Sequence, residues 1–536
     1  MTRKAAETRR EFLQRAGLGV AGAACLGVAS GRSRVLDVPI RGKSADATFQ
    51  APGTPPPNLL IIHTDQQNFR TLGCYRALLP QEQAFIWGDG VAVETPHLDS
   101  IAKNGALCDR FYASSPVCTP SRAAFVSGRF PQNTGAPVND VPMRDDIVTF
   151  AEVLRRNGYA TGYAGKWHLD GGAKPGWTPK RKFGFEDNTY MFNRGHFKQL
   201  EDTATGPAVK VKGEGNVKGA DANSFTTDFL TAKAVAFIEA HKQQPFCFMV
   251  SIPDPHTPRS VRAPYDTLFA QMKFRVPRSA TGRGSGLPAC ATVLTTPHME
   301  SMGAYFGMVK CIDDNVGKML GALRSAGVAS RTIVVFTSDH GDMCGEHGRV
   351  FKGIPLEGSA RIAFLISYPG VIKPGTIIHE ALANVDFKPT VLALMGCASD
   401  PNDEGRDASA LFRSGQAPAG WKNVAFSRNS GGNWLMAVTS RHKFIVSNDS
   451  DPCLFDLDAD PIEMRNLFPE SAARETVRGL ARCLADYCRR SQEVHAEQPS
   501  IKADLAWCAE GRGDYQAPPR TQKPGKRKKQ LEENDT

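Results

Sequence analysis

The chain has 536 residues, of which 41% are hydrophobic and 22% charged, and its formal net charge is +10. This composition is that of an ordinary globular protein, and the length exceeds one small domain. Residues 1–30 (five basic, two acidic) and residues 511–536 (seven basic, four acidic) each contribute +3. The body retains only +4, which argues against nucleic-acid binding but suits an anionic substrate. No apolar run reaches the roughly 18 residues that a membrane-spanning helix needs.

The N-terminus predicts an export signal. Arg9 and Arg10 are followed by Phe-Leu and then by a weakly apolar run of small residues at 16–24. This pattern is typical of a twin-arginine signal peptide, which we assign to residues 1–31. We therefore expect the twin-arginine export machinery to deliver the folded protein to the periplasm or the exterior. Cys25 offers an alternative lipid-anchoring site, although it lacks the expected preceding leucine.

Apolar runs and helical patterns alternate through the body of the chain, after a linker at residues 32–56. Strands are predicted at 58–64, 159–164, 246–251 and 332–337. Helices are predicted at 148–157, 225–241 and 305–326. This alternation predicts an α/β fold in which a large, mixed but mostly parallel sheet is sandwiched by helices. We assign residues 57–425 to this domain.

The pattern changes after about residue 425. Short strands are predicted at 434–438, 443–446 and 453–457, and a helix at 468–490. These elements predict a smaller C-terminal subdomain, with an antiparallel sheet and a helix, at residues 426–510. Residues 511–536 are rich in Pro and Lys and predict a disordered basic tail.

Polar residues directly follow two of the predicted strands. Asp65 and Gln66 follow the first strand, and Asp339 and His340 follow the strand at 332–337. Since sites in open α/β sheets form at the carboxyl ends of the strands, we expect these side chains to converge. Their oxygen and imidazole donors suit a divalent cation.

Two further strand ends and one loop supply basic residues. Lys166 and His168 follow the strand at 159–164 and, two residues apart in extended chain, lie on one face. His256 follows the strand at 246–251 and lies between prolines that fix its loop. Lys352 lies in the segment Lys-Gly-Ile-Pro.

The segment from Cys118 to Arg122 reads Cys-Thr-Pro-Ser-Arg and opens an apolar, helix-prone stretch. Pro120 suits the first turn of a helix. Arg122 lies one turn past Cys118, within reach of it. The free N–H groups of a helix N-terminus would also face an anion there.

Together and in this order, the motifs resemble those of formylglycine-dependent sulfatases of the alkaline phosphatase superfamily, in particular exported bacterial members. The resemblance spans roughly residues 57–470, including 456–467, which is similar to the family's closing segment. It implies that a maturase oxidises Cys118 to formylglycine, whose hydrated aldehyde is the nucleophile. It also implies one divalent metal, calcium first and manganese or magnesium as alternatives, held by Asp65, Gln66, the modified Cys118, Asp339 and His340.

The resemblance implies six catalytic residues: Cys118, Arg122, Lys166, His168, His256 and Lys352. In sulfatases the corresponding lysines bind sulfate, and His168 would act as base on the aldehyde hydrate. His256 would protonate the leaving oxygen, and Arg122 would reach the hydrate and the sulfate.

The expected reaction is hydrolysis of a sulfate monoester. We expect specificity to lie in loops at 171–224, 259–303 and 428–434. The basic residues of these loops, among them Arg259, Arg262 and Arg283, favour a sulfated carbohydrate as substrate. One alternative is a phosphonate or phosphate mono- or diesterase of the same superfamily. The other is a non-catalytic binder of sulfated glycans with unmodified Cys118.

Overall fold

A computed structural model of the protein describes residues 55–281, 287–288 and 299–520. The predicted signal peptide, Cys25 and residues 32–54 of the predicted linker lie outside the described residues. Within the described ranges, no helix is long and apolar enough to cross a membrane.

The larger domain is built on an eight-stranded sheet, and further strands form three smaller sheets. The strands are β1 Asn58–Thr64, β2 Ala106–Cys108, β3 Phe111–Tyr112, β4 Ala160–Lys166, β5 Asp187–Phe192, β6 Leu200–Thr203, β7 Gly206–Val209, β8 Phe246–Ile252, β9 Thr332–Ser338, β10 Phe364–Ser367, β11 Thr376–Ile378, β12 Leu382–Ala383, β13 Ala425–Arg428, β14 Trp434–Val438, β15 His442–Ser447 and β16 Cys453–Asp456. The large sheet has the order β11-β2-β10-β9-β1-β8-β4-β5. In it, β10 runs antiparallel to its two neighbours, while the other pairs are parallel. The predicted mixed, mostly parallel sheet is therefore confirmed.

Helices cover both faces of this sheet, as predicted. The main ones are Pro96–Lys103, Cys118–Ser127, Phe150–Arg156, Thr226–His241, Met302–Ser325, Phe387–Leu394 and Ser409–Ser414. Alternate residues of β1 enter two separate cores, with Leu59 and Ile61 on one face and Leu60 and Ile62 on the other. A central strand that is buried on both faces is apolar along its whole length, which is why the sequence revealed it.

The C-terminal subdomain is an antiparallel sheet with the order β13-β14-β15-β16, covered by the helix Arg474–Arg490. The predicted sheet-plus-helix architecture is confirmed. The sheet begins at Ala425, one residue before the predicted boundary, and the helix begins six residues later than predicted. A further helix, Pro499–Glu510, packs in the same core.

The first part of the predicted disordered tail is ordered against this subdomain. Tyr515 donates a hydrogen bond to Asp504 Oδ1 (2.7 Å), and Arg520 Nη1 donates to Asp504 Oδ2 (2.6 Å). The prediction of disorder was therefore wrong for residues 511–520, because a buried acid pairs with them. Residues 521–536 lie outside the described range.

A buried charge cluster joins the subdomain to the large domain. Lys443 Nζ lies 2.7 Å from both Glu357 Oε1 and Glu463 Oε1, and all three side chains are at most 2% exposed. Despite burial, Lys443 and Arg361 lower the pKa of Glu357 to about 2. Burial, which Lys443 only partly offsets, raises the pKa of Glu463 to about 7. Glu463 therefore holds a proton in the folded protein at pH values where the unfolded chain has lost it.

This raised pKa predicts a pH-dependent contribution to stability. Glu463 favours folding below pH 4.5, its usual pKa, and that contribution is lost as the pH rises to about 7. Glu463→Gln, which is always neutral, should therefore gain stability relative to the native protein between pH 5 and pH 8. Urea unfolding at both pH values measures the difference. Glu470→Gln, at a partly exposed position, serves as control, and a difference in the free energy of unfolding between native and Glu463→Gln protein that does not change with pH would contradict the prediction.

Candidate active site

The carboxyl ends of the central strands bring the two predicted acids together. β1 and β9 are neighbours in parallel register, with Thr64 opposite Ser338. The next residue of each strand is an aspartate, and Asp339 N–H donates to the Thr64 carbonyl (3.1 Å). Asp65 and Asp339 are both 0% exposed. Two buried carboxylates therefore face each other at one edge of the sheet.

Cys118 is placed beside these acids by the helix that it begins. Ser121, in the first turn, donates a hydrogen bond to the Asp339 carbonyl and so ties the helix to β9. Cys118 Sγ lies 3.2 Å from His340 Nε2 and 3.8 Å from Asp65 Oδ1. The helix N-terminus thus faces the carboxylate edge of the sheet.

These residues form a cluster that could hold a metal ion. Ligand atoms of Asp65, Cys118, Asp339 and His340 all lie within 4.8 Å of one another, and the four residues are buried. Burial and the charge of Asp65 raise the pKa of Asp339, and His340 and Arg122 offset this only in part. Two carboxylates and an imidazole suit a divalent cation such as calcium or manganese.

Gln66 lies beside the cluster in a constrained conformation. Its φ is 62°, in the left-handed region that residues other than glycine rarely adopt. Its Nε2 donates to Asp342 Oδ2 (2.8 Å), and its Oε1 accepts from Lys352 Nζ (2.7 Å). The amide oxygen is therefore turned towards the basic side of the site.

Arg122 lies beneath the two acids with four of its five N–H groups engaged. Nε donates to Asp339 Oδ2 (2.9 Å) and Nη2 to Asp65 Oδ2 (3.0 Å). Nη1 donates to the Lys166 carbonyl and to Ser251 Oγ, both at 2.7 Å. This fully buried guanidinium fixes the geometry of both carboxylates.

Lys166 projects from the end of β4 into the same site. The preceding residue, Gly165, has a φ of 109°, and a Cβ there would lie 1.9 Å from the Ser251 carbonyl oxygen. Only glycine allows β4 to approach β8 this closely. Lys166 Nζ is 0% exposed, 2.7 Å from Asp65 Oδ2 and 2.8 Å from His196 Nε2.

A matching lysine–histidine pair lies opposite. Lys352 Nζ is 2.7 Å from His256 Nε2, and His256 Nδ1 is 2.6 Å from the Thr257 carbonyl oxygen. The His256 ring stacks on His196 with ring centroids 3.7 Å apart and an interplanar angle of 2°. Two ammonium groups thus flank a pair of parallel imidazoles.

His168 lies on the pocket wall and is held by an acid that the sequence analysis did not single out. His168 Nε2 is 2.8 Å from Asp140 Oδ1, and Asp140 Oδ2 is 3.1 Å from Arg194. The six predicted catalytic side chains and the metal cluster are therefore brought together at one edge of the sheet.

The pocket at this edge is strongly basic. Its lining includes the cations Lys166, Lys174, Arg194 and Lys352, the three imidazoles of His168, His196 and His256, and the remaining residues Cys118, Asn139, Gly195 and Glu214. Among the described lining residues, Glu214 is the single acid. Although burial and Asp65 oppose ionisation, Lys166, Lys352 and His340 lower the pKa of the Cys118 thiol well below its usual range. The pocket therefore stabilises negative charge at position 118 and on a bound anion.

The predicted basic loops contribute differently from one another. Lys174, Arg194 and Glu214, from 171–224, line the pocket. Arg259 instead pairs with buried Asp342 at 2.9 Å, and Arg262 pairs with Asp228 at 2.8 Å. Of the arginines in the loop 259–303, these two are therefore engaged by buried acids, and Arg283 lies outside the described residues.

Fold and site together define a hydrolase of the type that binds an anionic ester at the carboxyl edge of an α/β sheet. The sequence matches the Sulfatase family over residues 57–397, and residues 345–490 match the C-terminal domain of N-sulphoglucosamine sulphohydrolase. The chain therefore belongs to the sulfatase family and is an enzyme that hydrolyses sulfate esters.

Individual relatives are distant. The chain is 28% identical to the ulvan-active sulfatase of Formosa agariphila, with 77% of each chain covered. It is 28% identical to the choline-sulfatase of Rhizobium meliloti, covering 77% of this chain and 82% of the relative. BT4656, solved in complex with its substrate D-glucosamine-2-N,6-O-disulfate, superposes with a TM-score of 0.68 at 21% identity, covering 83% of this chain and 100% of that one. At 21% identity, the similarity to BT4656 shows a shared fold.

Proposed function

We propose that the protein hydrolyses the sulfate monoester of a sulfated carbohydrate. It would use formylglycine, which a maturase makes from Cys118, and one divalent cation, for which calcium is the first candidate. The observation that carries this proposal is the convergence of Cys118 with Lys166, Lys352, His168 and His256 on one buried basic pocket. When present, the hydrated aldehyde supplies a nucleophilic oxygen and the cation lowers the pKa of that oxygen.

The chain's own residues bind and orient the sulfate group. Lys166 and Lys352 carry fixed charges, 2.7 Å from Asp65 and Gln66 respectively, so their ammonium groups are oriented before substrate arrives. Such fixed donors stabilise the negative charge that shifts between oxygens as the S–O bond breaks. Arg122 acts on the substrate indirectly, since its guanidinium holds the two acids that would bind the cation, Asp65 and Asp339.

Two imidazoles are placed to move protons. The Thr257 carbonyl accepts from His256 Nδ1, so Nε2 is the ring nitrogen on the pocket side, where it lies 2.7 Å from Lys352 Nζ. A proton on Nε2 would pass to the departing alcohol oxygen. His168, on the wall shared with Cys118, would accept a proton on the nucleophile side.

The lining of the pocket favours a hydroxyl-rich alcohol. Apart from Cys118 and Gly195, every described lining residue is polar or charged. At the rim, Lys174 Nζ lies 2.6 Å from Glu214 Oε1, and Arg194 lies 3.1 Å from Asp140. Paired donors and acceptors of this kind suit sugar hydroxyls, whereas an aryl or steryl group would need apolar or aromatic walls.

Export by the twin-arginine route is also part of this proposal. That route carries folded proteins, so the oxidation of Cys118 would precede export and the finished site would reach the periplasm or the exterior. The pattern at residues 9–24 supports it.

A substrate panel tests the proposed reaction. Protein co-produced with a formylglycine-generating enzyme and supplied with calcium would be assayed on sugar monosulfates, 4-nitrophenyl sulfate, 4-nitrophenyl phosphate and a phenyl phosphonate monoester. We expect kcat/KM for the best sugar sulfate to exceed that for each of the other three by at least about tenfold. Cys118→Ala protein from the same production serves as the control. A preference for the phosphonate or the phosphate would favour the esterase alternative instead.

A further inference from the structure

The pair formed by Asp140 and His168 is the feature of the site that the proposed roles leave unexplained. His168 is 4% exposed, and its Nε2 lies 2.8 Å from Asp140 Oδ1. Its Nδ1 is buried and has no hydrogen-bond partner among the described residues. An unpaired buried nitrogen is costly in a folded protein, so its presence beside Cys118 in the pocket calls for a function.

The carboxylate determines where the ring carries its proton. A neutral imidazole has one N–H, and an ionised carboxylate can only accept a hydrogen bond. Nε2 of His168 must therefore be the protonated nitrogen when it faces Asp140. Nδ1 then carries the lone pair and is the ring nitrogen that can accept a proton.

Contacts with neighbouring residues hold the Asp140 carboxylate next to His168 Nε2. Its backbone has a φ of 63°, in the left-handed region, and its N–H donates to Thr119 Oγ1 at 3.4 Å. Thr119, the residue after Cys118, in turn donates to the His168 carbonyl at 2.9 Å. Arg194 pairs with the second carboxylate oxygen, Oδ2, at 3.1 Å. The hydrogen bond from His168 lowers the pKa of Asp140, so the carboxylate stays ionised near neutral pH.

We propose that Asp140 is a positioning residue that fixes His168 in the Nε2–H tautomer, so that Nδ1 is the atom that accepts a proton during turnover. This inference rests on the proposed function for its catalytic consequence. On accepting that proton, His168 becomes an imidazolium with N–H groups at both ring nitrogens. The Nε2–H group keeps its proton and continues to donate a hydrogen bond to Asp140. The carboxylate stabilises the positive charge without taking the proton, and Nδ1 returns its proton to water before the next turnover.

The tautomer can be measured directly, without substrate. Full-length protein labelled with ¹⁵N-histidine would be studied by long-range ¹H–¹⁵N correlation at mildly alkaline pH, with His168 assigned from the signals that His168→Gln lacks. We expect protonated Nε2 and unprotonated Nδ1 in the native protein. In Asp140→Asn the amide can donate as well as accept, so the Nδ1–H form should appear. A native His168 with its proton on Nδ1 would overturn the proposal, whatever the variants do.

Kinetics provide the second readout. With 4-nitrophenyl sulfate as probe, Asp140→Asn should lower kcat by about 10²-fold or more while KM changes less than about threefold. Asp140→Glu, which keeps the carboxylate, should recover part of kcat. The exposed Asp145→Asn, in the same loop, is the matched control and should behave as the native protein. An unchanged kcat in a well-folded Asp140→Asn would contradict the inference, whereas a native protein inactive on every sulfate ester would contradict the proposed function and leave the tautomer result standing.

Discussion

Cys118→Ala should lose essentially all sulfate-ester hydrolysis, by at least about 10³-fold in kcat/KM. Cys118 is 2% exposed, and its thiol is surrounded by the acids and imidazole of the metal cluster. No other cysteine is among the described residues that line the pocket. Alanine keeps Cβ but lacks the thiol that the maturase oxidises, and it removes one member of the cluster.

The measurement pairs kinetics with peptide mass spectrometry across position 118. Native protein made with the maturase should show the mass of an aldehyde in place of CH2–SH, and the extent of conversion should scale with kcat. Cys397→Ala, at a half-buried thiol that packs against the core containing Leu59 and Ile61, is the control and should keep native activity. If Cys118→Ala retained a tenth of native activity, the nucleophile would have to be another group.

The parts of the fold that were predictable are those whose signal is local. β1, β8 and β9 are apolar along their length because both faces are buried, and each was recognised from its own residues. β2, β10 and β11 were missed. They have three or four residues each, and their pairing with one another is set by partners far away in sequence.

The same contrast holds in the site. Asp65, Lys166 and Asp339 were predictable because they stand at the ends of recognisable strands. Asp140 was missed because it lies in an irregular loop, and its importance comes only from the distance to His168. His196 did have a signal, since it closely follows β5 in the segment Asn-Arg-Gly-His, but β5 itself was not predicted.

Arg122 shows why even a recognised residue can take an unforeseen position. Its place one turn after Cys118 predicted that it can reach Cys118, and the resemblance implied a contact with the sulfate. The structure instead engages its guanidinium with Asp65 and Asp339, which lie 274 residues apart in the chain. The helix position of Arg122 is local information, whereas the adjacency of the two acids is a property of the β1–β9 pairing.

This arrangement predicts a large loss of stability in Arg122→Met. The substitution would remove the guanidinium that lies between two carboxylates, both 0% exposed, so that Asp65 keeps Lys166 as a partner whereas Asp339 keeps no lysine or arginine partner among the described residues. Removing one partner of a buried ion pair typically costs about 3–5 kcal/mol, because the remaining charge is uncompensated. We expect a decrease of that size in the free energy of unfolding, measured by urea denaturation in the presence of a chelator.

The dependence on metal separates this explanation from a simple packing defect. A divalent cation bound by Asp65 and Asp339 would compensate part of the lost positive charge, so calcium should stabilise Arg122→Met more than it stabilises the native protein. Arg155→Met removes a side chain that is 41% exposed from a surface pair with Glu152, so it should leave the free energy of unfolding nearly unchanged, with or without calcium. If Arg122→Met were as stable as Arg155→Met, or if calcium stabilised the native protein and Arg122→Met equally, the guanidinium would not be balancing the charge of the two acids.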